Sequence, residues 1–313
     1  MSAQLLIEQA ATTMVPDSPS LAAWSRNYAA MHSRRLAVDL ALVEQYVSRD
    51  SRIVEFGCIP PLLTAALQRI GYDVSGVDID PSRYASSIKC LNINVTACDI
   101  ERDPLPWPEC TFDAALFNEL FEHLRINPIA TMREVYRVLR PGGRLLMSTP
   151  NFRSFKGIMN LLRRASTYNP DDGIFEQYAK LDTLGHMGHV REYTAPDVTR
   201  FLTRIGFDVE RVVYRAELLA AHDYAGRLAA ALRPSLRPYM SVIARRPAQV
   251  DRFGRRAKKL SRRVASLFST ERNCAQPDPV MLLTTAGELH QRALSDSVRP
   301  NTVPVAVWRP RSV

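Results

Sequence analysis

The chain is poor in cysteine: five in 313 residues, at Cys58, Cys90, Cys98, Cys110 and Cys274, an odd number with no Cys-x-x-Cys pair. That spacing offers neither a disulfide framework nor a cysteine-based zinc centre, and no metal site is expected from it. Long apolar runs are missing as well, so no segment has the length of about 20 residues that a membrane-spanning helix needs. The opening Met-Ser-Ala-Gln-Leu-Leu-Ile-Glu has no basic region ahead of its apolar residues, so a signal sequence is not expected and a cytoplasmic protein is. There are no internal repeats and no low-complexity tracts.

What is present suits a core-forming protein. Hydrophobic residues make up 46% of the chain, enough to bury one large core with an appendage. The pattern is organised around Arg52-Ile-Val-Glu-Phe-Gly-Cys58, where β-forming residues run into Gly57 and then into the helix-like stretch Leu62 to Ile70. A second strand, Val74 to Val77, ends at Asp78, about 20 residues on, where an acid can hydrogen-bond a ribose diol. The period repeats through a helix at 82 to 90, a third strand Ile93 to Ala97, a fourth at Phe112 to Phe117, a helix at 127 to 139 closed by Pro141-Gly142-Gly143, and a fifth strand at Arg144 to Ser148. Three prolines in Asp103-Pro-Leu-Pro-Trp-Pro108 exclude helix or central strand there. Strands alternating with helices predict an α/β fold with a doubly wound, mostly parallel sheet.

The series Val54-Glu55-Phe56-Gly57, Gly76-Val77-Asp78, Asp99-Ile100, Phe112-Asp113 with Glu122-His123-Leu124, and Leu139-Arg140-Pro141-Gly142-Gly143 resembles the class I S-adenosylmethionine-dependent methyltransferases. The resemblance is close over about residues 50 to 150 and looser to 247. It implies the Rossmann-like methyltransferase fold, a seven-stranded sheet with an antiparallel last strand, for which Phe207 to Tyr214 and Met240 to Arg245 fit strands six and seven. It further implies that Glu55 and the Gly57 turn hold the methionine end of S-adenosylmethionine. Asp78 takes the ribose hydroxyls, Ile79 and Ile100 cover the two faces of adenine, and Asp99 accepts from the adenine amino group. Asn118, at the end of strand four, joins this cofactor-binding set.

One departure from the family pattern stands out. The turn carries Ile59 and Pro61 where further glycines are usual, which restricts backbone approach to a ligand. Pro60-Pro61 reads as a rigid helix start that still admits the cofactor. The same positions argue against a nicotinamide dinucleotide, because Gly-Cys-Ile-Pro-Pro-Leu would set side chains against a diphosphate that needs bare backbone. The sulfonium methyl is already electrophilic, so the protein must align a nucleophile and remove its proton. Glu119 and His189 are the candidate bases, and Arg191, in Gly185-His-Met-Gly-His-Val-Arg-Glu-Tyr193, is the candidate for orienting substrate.

The expected organisation is a helical flank or lid over residues 1–50, the methyltransferase domain over 51–247 with a substrate lid at 151–193, and a basic extension over 248–313. In the first, Tyr28, His32, Arg34 and Arg35 either reach the crevice or form a solvated basic face. In the second, Thr194 and Asp197 should cap a helix. The pairing of Ser148-Thr-Pro-Asn151 with His-Val-Arg-Glu-Tyr-Thr resembles methyltransferases acting on hydroxyls of sugars, glycolipids and quinone precursors, so a small-molecule, glycan or glycolipid acceptor is expected. The net charge of +9 is concentrated between Arg245 and Arg263. Together with Val250, Phe253, Leu260 and Phe268 it forms a basic amphipathic pattern over 250–268 that suits peripheral contact with an inner membrane surface. Two rival readings are a nucleic-acid methyltransferase and a non-catalytic S-adenosylmethionine-binding scaffold. Nucleic acid is disfavoured because Asn118-Glu-Leu-Phe121 lacks the two prolines of an amine-methylating Asn-Pro-Pro-Phe loop. No function attaches to 271–313.

Overall fold

The computed structural model describes residues 2–164, 175 and 188–248. A seven-stranded sheet in the order β3-β2-β1-β4-β5-β7-β6 forms its centre. The strands are β1 (Arg52–Phe56), β2 (Asp73–Asp78), β3 (Asn94–Ala97), β4 (Phe112–Asn118), β5 (Leu139–Pro150), β6 (Asp208–Arg215) and β7 (Tyr239–Arg245). The pairs from β3 through to β5 are parallel, and β7 runs antiparallel to both β5 and β6. This is the Rossmann-like methyltransferase sheet, with its reversed last strand where the sequence places it. The chain order turns back between β1 and β4, and in open α/β sheets the ligand crevice opens at such a switch, beyond the carboxyl ends of the strands.

Period-two alternation divides the core between the two faces of the sheet. Ile53, Ala114 and Leu116 turn to one side, where α1 (Ala3–Thr13), α2 (Ala22–Tyr46) and α3 (Leu62–Arg69) bring Leu6, Ile7, Leu36, Leu40, Leu63 and Leu67. Val54, Phe56, Ala115 and Phe117 turn to the other, against Met132, Val135, Val198 and Leu202. The amino-terminal helices are therefore part of this core.

One boundary differs from expectation. The residues Pro141-Gly142-Gly143 lie inside β5, which begins at Leu139, because the preceding helix already ends at Val138. Gly142, at φ +87°, donates its N–H to Arg246 O and so extends the β5–β7 pairing. The helix Phe155–Arg164 begins just after Ser154, whose hydroxyl accepts from the Gly157 N–H. Thr194 and Asp197 cap the helix Ala195–Ile205 reciprocally, as their spacing predicts.

Buried charge ties α2 to the far half of the sheet. Arg215, at the end of β6, donates to Asp39 of α2 at 2.6 Å and to Ser241 of β7 at 2.9 Å. Both ionic partners are about 2% exposed. Removing one member of a buried pair strands the other. Arg215→Met should cost about 3–5 kcal/mol of unfolding free energy in urea titration, and Asp39→Asn added to it should cost little more.

Alternation also fixes Glu55, which shares the face of Ile53 and accepts a 2.5 Å bond from Thr64 of α3. Burial pushes its carboxyl up to about 8 from an ordinary 4.5, more than the Thr64 bond pulls it down. A raised folded-state value means that Glu55 contributes stability fully below about pH 4.5 and loses it as pH rises through about 8. Unfolding free energy should accordingly fall across that window, and Glu55→Gln should flatten the slope.

Candidate functional site

The carboxyl ends of β1, β2 and β3 form the first wall of the crevice. Gly57 sits at φ +65°, and a Cβ there would meet the Leu120 side chain at 3.1 Å. The turn is not the expected row of free donors. Gly57 and Cys58 both give their N–H groups to Val77 O, and Ile59 gives its own to the Asp78 carboxylate at 3.1 Å. Pro60 and Pro61 have none to give. Cys58 is buried with its sulfur over Gly76, where a Cβ would come within 2.6 Å of it.

Next to this closed turn, the residues predicted for a nucleoside come together. Asp78 accepts from Ile59 N through one oxygen and from Asp80 N through the other. A carboxylate has about four acceptor positions, so each oxygen can still take a ribose hydroxyl. Burial raises the Asp78 carboxyl, partly offset by those backbone bonds. Ile79 is 55% exposed beside it, an apolar surface available to a ring. Asp78 is in register with Ala97 on β3, and just beyond lie Asp99, accepting from Glu101 N at 3.0 Å, and the half-buried Ile100. Asp99 also pairs with Arg102 at 3.3 Å.

Helix α2 supplies the second wall. Trp24, Tyr28 and His32 stack at four-residue spacing, with ring centroids 5.2 and 4.5 Å apart. Arg35 is 4% exposed and donates to the Tyr28 hydroxyl at 3.0 Å, while its Nε has no partner. Burial works against its charge, but Tyr28, Glu119 and Asp39 hold its proton more firmly than usual. Burial and then Arg35 depress the His32 imidazole to about 4. Arg34 points outward, so the solvated-face reading holds for it and not for Arg35. Sequence reasoning named the segment without singling out Arg35. The available signal was its phase: Arg35 is one residue from Leu36 and one helical turn from Asp39, on the buried side.

The third wall follows β4. Asn118 ends the strand in register with Ser148 on β5. Glu119 takes the unusual φ of +49°, a strained conformation of the kind that gathers at functional sites. Its N–H binds Ser148 O at 2.9 Å, and its Oε1 is enclosed without a partner. Glu122 is 1% exposed; one oxygen accepts from Thr149 at 2.9 Å and the other, Oε1, has no partner. Burial raises both carboxyls.

The Glu122 carbonyl accepts from Val190 N at 2.8 Å and Arg191 N at 3.3 Å, which pins the segment 188–193 across the site. His189 is thereby brought to the Glu122 turn, its Nδ1 3.1 Å from Glu192 Oε1 and its ring 5.1 Å from that of His123. Burial disfavours the His189 imidazolium, but Glu192 and Glu122 outweigh it and raise its pKa. The ligand atoms of Glu122, His123 and His189 lie within 4.8 Å of one another. Arg191 is exposed, its guanidinium stacked over Tyr193 at 5.1 Å. The rest of the expected lid, at 165–174 and 176–187, lies outside the described residues, as do the basic pattern at 250–268 and the segment 271–313. No helix among the described residues is long and apolar enough to cross a membrane.

The residues present fit S-adenosylmethionine. Asp78, Ile79, Asp99 and Ile100 suit its nucleoside, and Glu55 suits its ammonium. The closed turn at 57–61 offers little to its carboxylate, for which the unpartnered Nε of Arg35 is the buried cationic donor at hand.

Comparison with known proteins agrees. Over 106 residues, the chain is 30% identical to a ubiquinone biosynthesis O-methyltransferase of Xanthomonas campestris, covering 32% of this chain and 44% of that one. A ubiquinone biosynthesis O-methyltransferase of Coxiella burnetii is 33% identical over 128 residues, which is 39% of this chain and 53% of its own length. The chain thus spans about half the length of the curated relatives it matches. In fold it resembles a chain of the Haloferax volcanii complex that holds the Trm112 methyltransferase activator, with a TM-score of 0.50, 14% identity, and coverage of 74% of this chain and 99% of that one. The model of the methyltransferase domain family matches residues 28–212, more than half of the chain, and the protein belongs to that family.

Proposed function

We propose that the protein is an S-adenosylmethionine-dependent O-methyltransferase acting on a hydroxyl of a small molecule. The observation that carries this reading is the juxtaposition of a nucleoside-binding edge (Asp78, Ile79, Asp99, Ile100) with two enclosed carboxyls, Glu119 and Glu122, that each keep an oxygen without a partner. The names of the curated relatives support O-methylation. A sugar or glycolipid hydroxyl is the finer form of the proposal, with residues 151–193 as the substrate lid.

S-adenosylmethionine supplies an electrophilic methyl when bound. Asp78 would hold the ribose, Ile79 and Ile100 would cover the adenine, and Asp99 would accept from its amino group. Glu55 would accept from the ammonium and Arg35 would bind the carboxylate, with Asn118 beside them at the end of β4. Glu119, whose raised pKa suits a base near neutral pH, would take the proton of the acceptor hydroxyl. His189 faces the same space as a second proton acceptor, and Arg191 orients the acceptor from the rim.

Calorimetry with S-adenosylhomocysteine tests the cofactor site: wild-type protein should bind, and Asp78→Ala should weaken binding at least about tenfold, the loss of roughly 1.5 kcal/mol expected of a hydrogen-bonded charge. Glu119→Gln should leave that affinity in place and lower transfer of a labelled methyl to hydroxylated acceptors by about 100-fold or more. Binding without transfer to any hydroxyl would favour the scaffold reading. Deleting 250–268 should abolish sedimentation with anionic vesicles if the acceptor is met at a membrane.

A further inference from the structure

Glu122 and His189 are 67 residues apart in the sequence, yet the ligand atoms of Glu122, His123 and His189 lie within 4.8 Å of one another. Proximity alone would be weak. Two further observations point the group at a shared ligand. First, Glu122 is 1% exposed and its Oε1 has no hydrogen-bond partner although Oε2 has Thr149. A buried carboxylate oxygen left in this way costs roughly 1–3 kcal/mol or more unless something meets it. Second, each imidazole has an acceptor at its Nδ1: His123 has Gly188 O at 3.2 Å and His189 has Glu192 Oε1 at 3.1 Å. Metal-binding histidines commonly have one ring nitrogen held by a carboxylate or carbonyl, as Glu192 holds Nδ1 of His189.

We propose that Glu122, His123 and His189 form a mononuclear site for a divalent transition-metal cation, with one carboxylate oxygen and two imidazole nitrogens as ligands. Two nitrogens in the donor set favour zinc-like ions over magnesium and calcium, which prefer oxygen alone. Ligand atoms about 2 Å from one ion stand roughly 3.3 Å apart, so the site closes by small side-chain rotations of the pinned segment. Three protein ligands leave positions for water or for the acceptor hydroxyl, whose proton a cation would loosen. This deepens the proposed transferase reading and rests on it for the role of the ion, though not for its binding. His189 is then a ligand and Glu119 remains the base.

The test uses full-length protein dialysed against chelator and titrated with Co²⁺ and Zn²⁺, with S-adenosylhomocysteine binding measured in parallel. Wild-type protein should take up one equivalent of Co²⁺ with visible d–d bands and no thiolate charge-transfer band. His189→Ala and Glu122→Gln should each weaken uptake at least about 100-fold, and the positioning variant Glu192→Gln by about 10-fold. Retained S-adenosylhomocysteine affinity in these variants shows that they fold. Should a variant not fold, the wild-type spectrum decides: absence of stoichiometric uptake, or a thiolate band marking cysteine ligation, overturns the site. Uptake unchanged in His189→Ala and Glu122→Gln overturns it equally. Protein that binds the cation but not S-adenosylhomocysteine supports the metal site and sinks the transferase reading, whereas the reverse result overturns the metal site alone.

Discussion

Carboxylates enclosed at the ends of the two central strands set the terms for everything above them. Glu55 ends the run of β1, and Glu119 and Glu122 follow β4, all three with carboxyls removed from solvent. Acids so placed are unfavourable to ionise, and the two buried cations that offset them, Arg35 and Arg215, both act through α2. Helix α2 is therefore more than a cover. Its apolar side completes one core face through Leu36, Leu40 and Val43, and its polar turn carries Arg35 and Asp39 into the charge network beneath the crevice.

The altered glycine turn gains meaning from the same network. In the usual family arrangement, glycines allow a ligand close to bare backbone. Here the turn is closed by its own hydrogen bonds to Val77 and Asp78 and by two prolines. The nucleoside edge is unaffected, because it depends on the ends of β2 and β3. The polar end of the ligand must instead find its partners among side chains, and the buried guanidinium of Arg35 lies among Tyr28, Glu119 and Asp39.

Much of the fold was legible because β-branched and apolar runs between turn residues specify strands strongly. Six of the strands lie within a few residues of their expected places, and the capping pair Thr194 and Asp197 marked its helix start. The start of β5 was not legible: Pro141-Gly142-Gly143 reads locally as a helix stop, and only pairing with Arg246 shows it to be extended chain. Asp78, Ile79, Asp99 and Ile100 could be placed at one sheet edge because each lies at or just past a strand end, a position the local pattern fixes. The burial of Arg35 and the meeting of Glu122, His123 and His189 could not be read in this way, since they depend on how distant segments pack. His189 reaches Glu122 only because the backbone at 190 and 191 binds the Glu122 carbonyl, a long-range bond that no spacing rule reports.

The most direct measurement is a crystal structure of the protein with S-adenosylhomocysteine. The account predicts the ribose hydroxyls on Asp78, adenine between Ile79 and Ile100, and the ligand carboxylate on the Arg35 guanidinium. Density showing Ile59 and Pro61 occupying the ligand's place, with Arg35 still facing only Tyr28, would contradict it.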